Sequence, residues 1–119
     1  MGNFIVSNST ELLCLPVENL LYVKADGNYS LFVTKDKVEH LFCIQLGKVE
    51  QEMNKQLGAN GNKLIRIGKS LIINRDYIYL IDVAKQKLVL SDCSGVSYTL
   101  EASREALKSL KDYIESTIK

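Results

Sequence analysis

Long hydrophobic runs, paired cysteines and clustered ligand residues are what this sequence has least of. No apolar stretch in its 119 residues approaches the roughly eighteen that a membrane-crossing helix needs. The first ten residues lack a positively charged start. The Leu12-Leu13-Cys14-Leu15 run is too short for a secretion signal and ends at Pro16. Cys14, Cys43 and Cys93 are odd in number and show no paired spacing, so neither a CxxC metal site nor a disulfide framework is expected. They read as reduced thiols, small and buried, of a cytoplasmic protein, with a redox switch as the alternative. His40, the one histidine, has no cysteine, aspartate or second histidine at ligand spacing and is expected at the surface or rim. Asp76, Asp82 and Asp92 are scattered, and no phosphate-cradling glycine loop or activated nucleophile stands out. An enzyme is therefore not expected, and no cofactor is implied.

A strong net charge is missing too. The formal balance is +1, which argues against a polycation. Its distribution is uneven: residues 1–59 hold five Lys and Arg against seven Asp and Glu, and residues 60–119 hold ten against seven. A local basic bias sits in the second half. With 46% hydrophobic and 24% charged residues, the chain is globular and sized for a single domain, 1–119.

In chain order the pattern is one of hairpins. Asn3 to Val6 fits a short edge strand, followed by the turn-rich Ser7-Asn8-Ser9-Thr10 and an apolar piece from Glu11 to Leu15. Val17 to Lys24 reads as a buried strand, Ala25-Asp26-Gly27-Asn28 as a turn, and Tyr29 to Thr34 as the returning strand. Lys35-Asp36-Lys37 turns into a strand over Val38 to Ile44. The spacing of Leu46, Val49, Met53 and Leu57 predicts an amphipathic helix from Gln45 to Leu57, closed by Gly58, with a loop at Asn60-Gly61-Asn62. Tyr77 to Val83, Lys85 to Ser91 and Val96 to Leu100 are further strands, with a loop at Asp92-Cys93-Ser94-Gly95. Leu107, Leu110, Ile114 and Ile118 form the stripe of a last helix, with Ser103 as its N-cap. The fold class is mainly β with short helices: antiparallel hairpins, one helix mid-chain and one at the C-terminus.

The stretch Leu64 to Ile78 carries the most chemical information. Apolar residues at 64, 65, 67, 71, 72, 73 and 78 are interspersed, without strict alternation, with hydrogen-bond donors at Arg66, Lys69, Ser70, Asn74 and Arg75. This fits a strand, a tight turn at Gly68-Lys69 and a second short apolar piece ending at Asn74. Lys69, Ser70, Asn74 and Arg75 would then stand on a rigid rim. Ammonium and guanidinium groups seek phosphate oxygens, and a side-chain amide can pair twice with an adenine edge. The chemistry is that of a nucleic-acid reader.

Three segments together carry a resemblance. They are Asn19 to Tyr29 (NLLYVKADGNY), Leu64 to Asn74 (LIRIGKSLIIN) and Leu100 to Arg104 (LEASR). In this order and spacing the chain, from about Val17 to Tyr113, resembles the LytTR-type DNA-binding domain, the output domain of a family of bacterial response regulators. The resemblance implies an elongated β-sandwich whose loops, not a recognition helix, enter successive major grooves of double-stranded DNA. It implies contacts from Asn28, Tyr29 and Ser30, from the rim of Lys69, Ser70, Asn74 and Arg75, and from Arg104. A homodimer on tandem sites and a sensor kinase and receiver pathway are the partners it suggests. Gly68 stands where the family often has a histidine, and Ser30 where some members carry a larger side chain. No receiver domain precedes the match, so a fragment or a stand-alone member controlled elsewhere is expected.

Structural readings stand beside these. Asn74 either reads a base or braces the turn before Asp76. Arg66 is expected to pair with an acid across the sheet, Lys69 to meet phosphate or solvent, and Tyr29 to pack. Arg104 sits at a helix start, where the dipole disfavours a cation, so an external anion is the reading preferred there. Alanine at Arg104 or Asn74 is expected to weaken DNA binding without affecting folding. A module of the same fold that binds proteins instead of DNA is the competing function.

Overall fold

The computed structural model describes residues 2–118, in two compact units, one running to Asp76 and one beginning at Tyr77. The first unit opens with a hairpin of β1 (Asn3–Ser7) and β2 (Leu12–Pro16), registered Asn3 to Pro16 and Ser7 to Leu12. Its turn is held by Asn8, whose Oδ1 accepts from the amides of Thr10 at 2.9 Å and Glu11 at 2.8 Å. An Asn side chain substituting for backbone acceptors in this way is why the Ser-Asn-Ser-Thr run reads as a turn.

A five-stranded antiparallel sheet follows. Its strands are β3 (Leu20–Asp26), β4 (Tyr29–Thr34), β5 (Glu39–Phe42), β6 (Leu64–Ile67) and β7 (Leu71–Asn74), in the order β5-β4-β3-β7-β6. Helix α1 (Leu46–Leu57) joins β5 to β6 and buries Leu46, Val49, Met53 and Leu57, the four residues whose spacing predicts it. Gly58 ends it with φ +52, a conformation that costs an L side chain energy but not glycine. Phe32, fully buried on β4, anchors the core. Its ring lies 6.2 Å from that of Phe4 and 6.1 Å from that of Phe42, the second edge-to-face. Burying one such side chain stabilises by about 1.5–3 kcal/mol, and β7 is buried along its whole length.

The second unit is a three-stranded antiparallel sheet in the order β10-β9-β8, from β8 (Ile78–Asp82), β9 (Lys87–Ser91) and β10 (Ser97–Glu101). Helix α2 (Arg104–Ser116) follows, with the Ser103 hydroxyl accepting from the Ala106 amide at 3.1 Å, the expected N-cap. The chain is thus mainly β with two helices, as the pattern of hairpins implied.

Several expectations are corrected. Val17 to Asn19 is a 3-10 turn, not the start of a strand, because it follows Pro16 and closes with the Leu20 amide on the Val17 carbonyl. The strand expected over Val38 to Ile44 is confined to Glu39–Phe42. Gly58 to Gly61 form a short 3-10 helix in place of an open loop. The last helical stripe stops early: Leu107 and Leu110 are buried, but Ile118 lies past the helix end and is exposed. All three cysteines are free and exposed, not buried.

The turn between β4 and β5 gives the first testable consequence. Asp36 accepts from the Thr34 hydroxyl and, at 3.1 Å, from the Val38 amide, which holds its carboxyl below the ordinary 3.8. The Thr34 bond is the larger cause. A folded value lower than the unfolded one means that the turn's contribution is present above the ordinary carboxylate range. It is lost as pH falls through the lowered value. An NMR titration of the Asp36 carboxyl is expected to give a midpoint below 3.8; a midpoint at or above it would contradict the geometry.

Candidate nucleic-acid interface

Two turns meet at one end of the five-stranded sheet because β3 and β7 run antiparallel side by side. Their register sets Tyr22 against Ile73, Val23 against Ile72 and Lys24 against Leu71. One residue further on, the Ala25 amide donates to the Ser70 carbonyl at 2.8 Å. The β3–β4 turn, Gly27-Asn28, therefore lies at the same end as the β6–β7 turn, Gly68-Lys69-Ser70. Gly27 has φ +62 at the first central position, as a two-residue II′ hairpin turn requires, and Gly68 has φ +57. The connection from β5 into α1 reaches this end as well, since Ser30 stands opposite Phe42 and Gln45 donates to the Asn28 carboxamide oxygen at 3.4 Å.

Four of the expected contact residues are gathered here and face solvent: Asn28, Tyr29, Lys69 and Ser70. Lys24, which sequence reasoning missed, belongs with them. It is exposed, pairs in register with Leu71, and like Lys69 makes no ion pair among the described residues. Its signal was the return of polarity at the fifth residue of a buried strand, just ahead of the Asp-Gly-Asn turn. Asp26 is the opposing charge on the same turn, while Glu50 of α1 is neutralised by Arg66 at 3.0 Å. Ammonium groups, an amide, a hydroxyl and an exposed phenol at one sheet end can serve phosphate oxygens and base edges together.

Three of the expected contacts are placed elsewhere. Ser30 is fully buried, and its hydroxyl donates to the Ile44 carbonyl at 2.6 Å. Asn74 is also fully buried. Its Nδ2 donates to the carbonyls of Val17 at 3.1 Å and Leu20 at 2.9 Å, and its Oδ1 accepts from the Asp76 amide at 3.0 Å. Both donors and the acceptor are thereby engaged with backbone. Asn74 and Arg75 stand at the far end of β7 from Lys69 and Ser70, with Asn74 about 13 Å from Ser70 at the usual strand rise. The expected rim from Lys69 to Arg75 is thus a buried strand with a polar group at each end. Of the two readings of Asn74, the structure supports the brace. Arg75 is partly buried, with its amide on the Lys63 carbonyl at 2.7 Å, beside the Lys63–Asp76 ion pair.

Arg104 lies in the second unit, exposed in the first turn of α2, where its guanidinium donates to the Ala84 carbonyl at 3.4 Å. That carbonyl belongs to the β8–β9 turn, which also carries the exposed Lys85. The unit therefore has a basic pair of its own, and Lys85 had no distinguishing pattern in the sequence.

The model of the LytTr DNA-binding domain family matches residues 10–115. A solved structure with the same fold is the LytTr DNA-binding domain of a Bacillus cereus protein described as a methyl-accepting/DNA response regulator. It superposes with a TM-score of 0.64 at 15% identity, covering 96% of this chain and 97% of that one. No curated protein sequence matches.

The brace at Asn74 is testable. Asn74→Ala removes a hydrogen bond from each of two buried carbonyls and one amide, and is expected to destabilise the fold by about 2–4 kcal/mol. Urea denaturation measures this directly. A change within about 0.5 kcal/mol, the range of neutral surface substitutions, would show that the carboxamide is not structural. Arg104→Ala, by contrast, is expected to leave stability within that range.

Proposed function

We propose that this chain, which belongs to the LytTr DNA-binding domain family, binds double-stranded DNA in bacterial transcription regulation through the turns at one end of its five-stranded sheet. The observation that carries the reading is the gathering of Lys24, Asn28, Tyr29, Lys69 and Ser70 there, all exposed, on two turns whose backbones are fixed and on the strand residues beside them. Lys24 and Lys69 supply phosphate contacts, and Asn28 and Ser70 supply donors and acceptors for base edges or backbone. Tyr29, about half exposed, offers a phenol to phosphate and a ring to sugar or base. Arg104, with Lys85 beside it, provides the contact from the second unit. These loops would enter the major groove, which is about 12 Å wide and reads all four base pairs. Binding as two copies on tandem sites, under a sensor kinase and receiver pathway, completes the proposed regulatory setting.

A protein-binding module of the same fold is the second reading, favoured by the net charge of +1. Salt separates the two. Three phosphate contacts, from Lys24, Lys69 and Arg104, give a log affinity against log salt slope of about −3. Duplexes selected from a random-sequence pool provide the ligand. Lys69→Ala and Arg104→Ala are each expected to reduce the steepness by about one while leaving the fold intact. A slope near zero, or slopes unchanged in both variants, would favour the protein-binding module.

A further inference from the structure

Among the described residues, Arg66 is the one charged side chain at this sheet end whose donors point into the protein's own turn. Its Nε donates to the Gly68 carbonyl at 3.1 Å and its Nη2 to the Lys69 carbonyl at 3.1 Å. These two donors share one edge of the planar guanidinium, so a single rigid fork fixes two consecutive peptide planes. On the other side Nη1 meets Glu50 of α1 at 3.0 Å, which aims the fork. The consequence follows from peptide geometry. In a trans peptide the N–H points opposite to the C=O of the same plane, and no bond among the described residues is cis. Drawing the Gly68 and Lys69 carbonyls toward Arg66 turns the Lys69 and Ser70 amides away from it. Among the described residues neither amide finds an acceptor in the protein.

We infer that Arg66 is a positioning residue that makes the β6–β7 turn a seat for a single phosphate group, formed by the outward amides of Lys69 and Ser70, the Ser70 hydroxyl and the Lys69 ammonium. Successive backbone N–H groups on a turn are a known anion-binding arrangement, since their partial charges converge without a carbonyl between them. The seat gives the DNA-binding reading, on which this rests, a defined contact: one backbone phosphate held by main chain, with Lys69 adding charge. It also assigns Arg66 a role that does not involve touching the ligand. Glycine at 68 contributes by holding φ +57 without strain. The fork cannot be reproduced by lysine, whose ammonium is a point charge without two parallel donors.

The test uses the full chain, labelled with nitrogen-15 and titrated with inorganic phosphate. The Lys69 and Ser70 amides are expected to shift downfield saturably, and to stay still in Arg66→Lys, whose folding is checked by thermal unfolding. Glu50→Gln, which frees the fork from α1, is expected to weaken the response without abolishing it. In a second arm, neutral methylphosphonates replace single phosphates along a bound duplex. One position is expected to cost the wild type about tenfold in affinity, the loss of one charge-assisted contact, and to cost Arg66→Lys nothing further. Silent amides in the wild type, or an equal response in Arg66→Lys, overturn the seat. A phosphate response without DNA binding would sink the DNA-binding reading and leave the seat standing. DNA binding with silent amides would do the reverse.

Discussion

The pairing of Tyr22-Val23-Lys24 with Leu71-Ile72-Ile73 is the constraint on which the candidate interface depends. These segments are almost fifty residues apart, with three strands and a helix between them. Once they lie antiparallel, the β3–β4 and β6–β7 turns must emerge at the same end of the sheet, because each follows or precedes its strand there. The register matters as much as the direction. A slip of one residue would turn Ile72 and Val23 out of the core and alter which polar groups neighbour Ser70.

Register is locked from the opposite end of β7. Asn74 reaches across to the carbonyls of Val17 and Leu20 at the two ends of the 3-10 turn that leads into β3. A carboxamide is suited to this position, since it offers two donors and one acceptor at fixed angles and carries no charge to desolvate. Ser30 does comparable work where β5 leads into α1, tying β4 to Ile44. These two polar residues lie inside, and the exposed polar residues are held in place by what they anchor.

Helix α1 takes part in the same division. Its buried stripe packs the core, while its N-cap residue Gln45 reaches Asn28 and its Glu50 reaches Arg66. Both solvent-facing turns are therefore referred to one rigid element. A partly exposed surface ion pair such as Glu50–Arg66 contributes little to stability, so its significance lies in orientation: it aims a guanidinium whose remaining donors set two peptide planes. A surface that must meet a stiff duplex benefits from turns that do not rearrange on contact, because ordering them would subtract from affinity.

Much of this was legible in the chain itself. Hydrophobic spacing marked α1 to within a residue, the Gly-Lys-Ser turn between two apolar runs marked β6 and β7, and Ser103 marked the start of α2. These features are local: period, turn chemistry and capping act between residues a few positions apart. What sequence reasoning misplaced was the direction of polar side chains. Asn74 looked like a reader and is a brace, Ser30 is interior, the cysteines are exposed, and Arg66 finds its acid on a helix and not across the sheet. Whether a carboxamide faces water or two buried carbonyls depends on which distant segment packs beside it. The residue types and local periods thus determined the elements and the supply of donors, whereas only the tertiary pairing of strands decided which donors remained free for another molecule.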